Sequence, residues 1–92
     1  MRGLLTMFDL DARWQLHPQV ALRPEPFGAL LYHFGTRKLS FLKNLVVVDV
    51  VKAIGEHSTA RAALQAVGVE DVAVYAKALD TLVNSNMLVR AS

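Results

Sequence analysis

The groups in this 92-residue chain able to move a proton or hold a metal are three histidines, His17, His33 and His57, and eight carboxylates. A metal needs several donors converging on one point, usually seen as paired ligands at helical or loop spacing. The histidines are widely spaced, and none has a second histidine four residues away. They read more simply as surface or strand-face imidazoles. Asp9 and Asp11 share one face of an extended segment, but near the chain start solvation explains both. The chain has no cysteine, which removes disulfides, zinc–thiolate sites, iron–sulfur ligation and cysteine nucleophiles. No glycine-rich phosphate loop or nucleophile motif occurs. The expectation is a chain without metal, cofactor or catalysis of its own.

Charge is more informative. The net charge of +2 divides into +3 on residues 1–43 and −1 on residues 44–92. Arg37, Lys38 and Lys43 fall within seven residues that contain no acid. Such a strip attracts an acidic partner, yet it is too sparse for strong nucleic-acid binding. Cysteine-free composition fits a cytoplasmic protein, and no apolar run approaches the roughly 20 residues that span a bilayer. At 53% hydrophobic and 20% charged residues, the chain is too apolar for intrinsic disorder. Its length suits one domain. That domain is expected over residues 8–92, after a flexible extension at 1–7.

The elements that must position these groups divide the chain in two. In the first half, Val20 and Leu22 alternate with Ala21 and Arg23, then Leu30, Tyr32 and Phe34 with Leu31 and His33. After Gly35-Thr36-Arg37, Leu39 and Phe41 alternate with Lys38, Ser40 and Leu42. Period-two alternation punctuated by Gly and Pro predicts antiparallel strands, with a hairpin over about 29–42. Trp14 and Leu16 suggest an earlier strand, and Met87-Leu88-Val89 a brief final one.

The second half reads as helices. Asn44 is a good N-cap for a segment with Val47, Val50, Val51 and Ile54 at helical spacing, and Gly55 is its stop. The valines themselves favour a strand, but Asp49 and Lys52 on the opposite face favour the helix. Ser58 is expected to cap a second helix ending at Gly68. Val72, Tyr75, Ala76, Leu79, Leu82 and Val83 form the stripe of a third, with Glu70 and Asp71 in its first turn.

Three strands and then three helices predict an α+β, winged helix-turn-helix-like fold with a three-stranded antiparallel sheet. A winged-helix DNA-binding regulator is therefore one reading. A recognition helix, however, needs Arg, Lys, Asn or Gln facing the bases, and residues 70–83 offer Lys77 among Glu70, Asp71 and Asp80. Peptide binding by strand addition fits better. In a simple meander, Leu39-Ser40-Phe41-Leu42 is an edge strand whose unpaired backbone groups another chain can complete. Arg37, Lys38 and Lys43 would speed encounter with an acidic peptide. Val72, Tyr75, Ala76 and Leu79 would supply a helical wall, although most of that stripe also serves as core. A proline at Ser40 is expected to damage the edge by removing a donor. The same edge could instead pair with a second copy.

Several strings carry a family likeness. Phe8-Asp9-Leu10-Asp11-Ala12-Arg13-Trp14, Val20-Ala21-Leu22-Arg23-Pro24-Glu25-Pro26-Phe27-Gly28-Ala29-Leu30-Leu31-Tyr32 and Arg37-Lys38-Leu39-Ser40-Phe41-Leu42 resemble the PqqD-like peptide chaperones, or RiPP recognition elements. The nearest branch is the mycofactocin biosynthesis chaperones (MftB). The likeness covers essentially residues 8–89 and is most specific in the strand region. It implies a non-catalytic subunit that binds the leader of a ribosomally made precursor and presents the core to a radical SAM maturase. It further implies that the leader lies antiparallel along Lys38–Leu42, in a groove facing Val72, Tyr75, Ala76 and Leu79. The mycofactocin leader is rich in acidic residues, which suits the basic strip. Cluster chemistry would belong to the maturase.

Overall fold

The structure, a computed structural model, describes residues 8–91; the extension expected at 1–7 lies outside the described residues. The architecture is α+β. Its order is β1 (Trp14–Leu16), β2 (Val20–Glu25), β3 (Gly28–His33), β4 (Leu39–Leu42), α1 (Leu45–Ala53), a 3-10 turn (Ile54–Glu56), α2 (Ala60–Val67), α3 (Val72–Asn84) and β5 (Leu88–Arg90). β2, β3 and β4 form a three-stranded antiparallel meander, as the alternation predicts. Its inner face carries Ala29, Leu31, His33 and Leu42, all buried. The outer face carries Leu30, Tyr32, Leu39 and Phe41.

The brief strands near the two ends pair with each other. β1 and β5 make a separate antiparallel ribbon, with Trp14 opposite Arg90 and Leu16 opposite Leu88. Phe8 stacks on Trp14 at 4.7 Å, and the Arg90 guanidinium lies 5.6 Å from the indole centroid. The Trp14 indole N–H donates to the Asp9 carbonyl at 2.8 Å. Ala60 and Arg61 donate backbone N–H groups to Ala12 and Leu10, and Asp11 pairs with Arg61 at 3.0 Å. Hydrogen bonding to Asp11, with its charge, raises the Arg61 pKa above the usual guanidinium value. Asp11 is thus partly engaged rather than merely solvated.

α1 settles the conflict between valine propensity and period. Asn44 Oδ1 accepts the N–H groups of Val46 and Val47 at 2.8 and 3.3 Å, a cap that stabilises a helix by about 0.5–2 kcal/mol. Val47, Val48, Val50 and Val51 are buried, so tertiary packing outweighs their weak helix preference. Three expected boundaries need correction. Gly55 does not stop the helix; α1 tightens into a 3-10 turn that runs through it. The cap of α2 is Thr59, which accepts from Ala62 at 3.0 Å, not Ser58. Likewise Asp71 is the N-cap of α3, so Glu70 and Asp71 precede its first turn. Gly68 ends α2 as expected, at φ 94°. α3 buries Leu79 and Leu82 in the common core that also holds Leu31, Ile54, Leu64, Met87 and Leu88.

The β3–β4 turn depends on His33, which the sequence reads as a strand-face imidazole. His33 is 3% exposed, and its Nδ1 accepts the N–H groups of Gly35 and Thr36 at 3.0 and 3.1 Å. The neutral ring must therefore carry its proton on Nε2. Arg37, rather than Gly35, takes the left-handed conformation, at φ 63°. The His17 ring sits 4.4 Å away, although the histidines are far apart in sequence. Replacing His33 with leucine leaves two turn donors without an acceptor. The expected cost is about 1–2 kcal/mol, which lowers the melting temperature by roughly 4–15 °C. A thermal melt at neutral pH checks this; an unchanged midpoint would show that the turn needs no acceptor.

Candidate functional site

Hydrogen-bond phase identifies which backbone groups β4 leaves free. His33 donates its N–H to the Lys38 carbonyl at 3.0 Å, and Phe34 donates to Gln19 at 2.7 Å. Bonded pairs alternate along an antiparallel ladder. With the observed register, Ser40 and Leu42 therefore bond Leu31 and Ala29, while Leu39 and Phe41 form non-bonded pairs with Tyr32 and Leu30. The N–H and C=O groups of Leu39 and Phe41 point away from β3. Among the described residues no strand lies beyond β4. The edge is open.

This phase revises the test expected at Ser40, whose N–H faces Leu31. A proline there would break the sheet's own ladder, whereas the donors offered outward belong to Leu39 and Phe41. Pro24 illustrates the rule in β2. It stands opposite Ala29 in a non-bonded pair, where the missing N–H would have faced away from β3.

Beside the C-terminal half of β4 runs a groove of about 310 Å³, lined by Phe41, Leu42, Lys43, Asn44, Val47, Ala78, Thr81 and Leu82. Leu42, Val47 and Leu82 are buried and make it apolar. Thr81 spends its hydroxyl proton on the Lys77 carbonyl at 3.2 Å, leaving oxygen lone pairs to accept. Lys43 stands at this end of the strand and Arg37 and Lys38 at the other, all exposed. Among the described residues, the ion pairs are Arg23–Glu25 and Arg61–Asp11, so these three cations have no carboxylate partner there.

The expected site residues divide. The structure brings Phe41, Leu42 and Lys43 to the groove and keeps Leu39 and Ser40 beside it on β4. The helical wall is displaced. Ala78, Thr81 and Leu82 face the strand, whereas Leu79 is 1% exposed and belongs to the core. Tyr75 is half-buried and packs against that core. Val72 and Ala76 open on another flank of α3, into a cavity of about 550 Å³ with Phe8, Leu10, Ala73, Lys77 and Asp80. An apolar period marks which helix stripe is buried, but not which flank borders a strand. Thr81 and Ala78 carried no sequence signal; Leu82 did, as part of the stripe. No group of three or more metal-binding side chains occurs among the described residues, and no helix there is long and apolar enough to cross a membrane.

An open edge with a groove beside it is common to many peptide-binding domains, so comparison with known proteins decides the family. The family model described as the peptide chaperone MftB family matches residues 13–89. This chain belongs to that family. A peptide chaperone MftB of Mycolicibacterium smegmatis is 66% identical over 84 residues, covering 89% of this chain and 82% of the relative. The Mycobacterium ulcerans peptide chaperone MftB is 53% identical over 103 residues, covering 97% of this chain and 94% of its own length. The Mycobacterium tuberculosis peptide chaperone MftB is 57% identical over 84 residues, with 89% and 77% covered. No solved structure matches significantly. The MftB proteins are non-catalytic, in agreement with a chain expected to perform no bond chemistry.

Proposed function

We propose that this MftB-family chain binds the leader of a ribosomally synthesised, mycofactocin-type precursor and presents it to a radical SAM maturase. The carrying observation is the free β4 edge, with outward Leu39 and Phe41 backbone groups and an apolar groove alongside. The leader adds as a strand. Its backbone bonds to Leu39 and Phe41, and its inward side chains enter the groove between β4 and α3. Arg37, Lys38 and Lys43 favour acidic leader side chains and accelerate encounter. A one-residue slip would exchange inward and outward side chains, so the groove fixes register as well as affinity. Holding the leader raises the effective concentration of the precursor core at the maturase.

On α3 the wall assigned to the leader is Ala78, Thr81 and Leu82, with Tyr75 and Leu79 packing behind them. Val72 and Ala76 are assigned no leader contact, because they line the other cavity. The element order suits a winged helix-turn-helix adapted to peptides. DNA binding has less support: Asp71 and Asp80 flank Lys77 on α3, and they repel phosphate. A cytoplasmic location suits a partner of a ribosomal product and an iron–sulfur enzyme.

Synthetic leader peptides N-methylated at alternate residues test strand addition directly. Methylation of the parity whose N–H groups face β4 should weaken binding roughly tenfold or more per site, while the other parity changes it little. Equal losses at both parities, measured by calorimetric titration, would reject strand pairing.

A further inference from the structure

The groove and edge use the flank and inner face of β4. Apart from Phe41, which also lines the groove, the outer face of the same sheet remains without a role, and it is apolar. Cross-strand pairs Leu30–Phe41 and Tyr32–Leu39 lie on it. Phe27 packs 6.1 Å from Phe41, and Phe34 meets Tyr32 edge-on at 5.2 Å. Phe34 is 57% exposed, Leu39 52% and Phe41 59%, so none of the three is core.

Its border is cationic. Arg37 and Lys38 emerge at one end and Lys43 at the other, while on β2 the acid Glu25 is already engaged by Arg23 at 2.8 Å. Contiguous exposed aromatic and aliphatic surface marks a protein interface. A second copy is a poor occupant, because stacking two such faces opposes cations with cations and supplies no free carboxylate. A leader strand cannot cover the face either, since it lies in the plane of the sheet. It does extend the face: the leader's outward side chains would stand beside Leu39 and Phe41.

We infer that the outer face of the three-stranded sheet, centred on Leu30, Tyr32, Phe34, Leu39 and Phe41, docks the maturase through an apolar patch fringed by carboxylates, and that a bound leader widens this surface. Both halves rest on the function proposed above, the first through its maturase and the second through its leader as well. The leader then contacts both proteins, and binding must be reciprocal: leader raises maturase affinity by the factor by which maturase raises leader affinity.

The test uses the purified full-length chain, the purified maturase and synthetic leader peptide, with affinities from biolayer interferometry. Phe34→Asp, at an exposed position, and Tyr32→Ser should each weaken the maturase roughly tenfold or more. Each should leave leader affinity within about twofold, because neither residue borders the groove. Leader should strengthen wild-type binding to maturase roughly fivefold or more. Maturase affinity unchanged in both variants overturns the docking face. So does an equal loss of leader affinity in folded variants, or light scattering that finds a dimer dissolved by Phe34→Asp without any change toward the maturase. Absence of leader strengthening overturns the widened surface. Failure of the wild type to bind leader removes the function proposed above, while the maturase arm, run without leader, still decides the face.

Discussion

Phe41→Pro should reduce leader affinity by about 2–4 kcal/mol, roughly 30- to 1,000-fold, whereas Phe41→Ala should cost no more than about tenfold. The difference isolates the backbone. Both substitutions remove the aromatic ring from the groove, but proline alone removes the outward N–H. The leader carbonyl aimed at it is then left with no donor, and an unmatched polar group costs more than a lost bond gains. The fold should tolerate the change, since Phe41 is in a non-bonded pair with Leu30 and Ser40 before it is already extended. Pro24 occupies the equivalent phase in β2. Circular dichroism establishes that the variant is folded, and calorimetry compares the two affinities. Equal affinities for the proline and alanine variants would exclude Phe41 as a backbone donor to the leader.

Gly28→Ala is expected to damage the fold itself. Gly28 starts β3 at φ 149°, and a Cβ there would overlap the carbonyl oxygen of Leu42, with its carbon 3.1 Å away. The atom struck is backbone, so no rotamer change can relieve the contact. Either β3 or the end of β4 must move. Strained backbone costs about 1–3 kcal/mol and overpacking about 1–3 kcal/mol. Together these take a large part of the roughly 5–15 kcal/mol available to a domain. The melting temperature should fall by roughly 10–25 °C. Leu42 also lines the groove, so leader affinity should fall in the same variant below its melting temperature. A change of less than a few degrees would mean that the two strands separate without cost. The observed glycine therefore serves the close approach of β3 and β4, and through it the shape of the open edge.

These two predictions rest on different kinds of knowledge. Alternation over 29–42 makes the hairpin legible from residue order alone, because side chains on a strand must choose one of two faces. Asn44 and Gly68 are likewise readable, since capping is a matter of a few neighbouring bonds. The cations at 37, 38 and 43 are legible as a basic strip for the same reason, since charge is read directly from residue order. The family resemblance was also present in short strings of residues, and the match over 13–89 bears it out.

What local order could not carry was rotation and distance. The stripe on α3 predicts a buried side, but the packing angle against the sheet decides that Ala78, Thr81 and Leu82, not Val72 and Ala76, border β4. The displacement of the α2 cap from Ser58 to Thr59 has a similar origin: the backbone bonds from Ala60 to Ala12 and Arg61 to Leu10 fix where that helix begins. His33 looked like a strand-face imidazole until the turn closed around its Nδ1.

Sequence by itself determined the element types, the basic strip and the family, because each is written in nearest-neighbour chemistry. Tertiary structure alone decided the pairing of β1 with β5, the ladder phase that turns Leu39 and Phe41 outward, and the flank of α3 that completes the groove. Those features depend on how separate elements share one buried core, and no short stretch of residues contains both sides of such a contact.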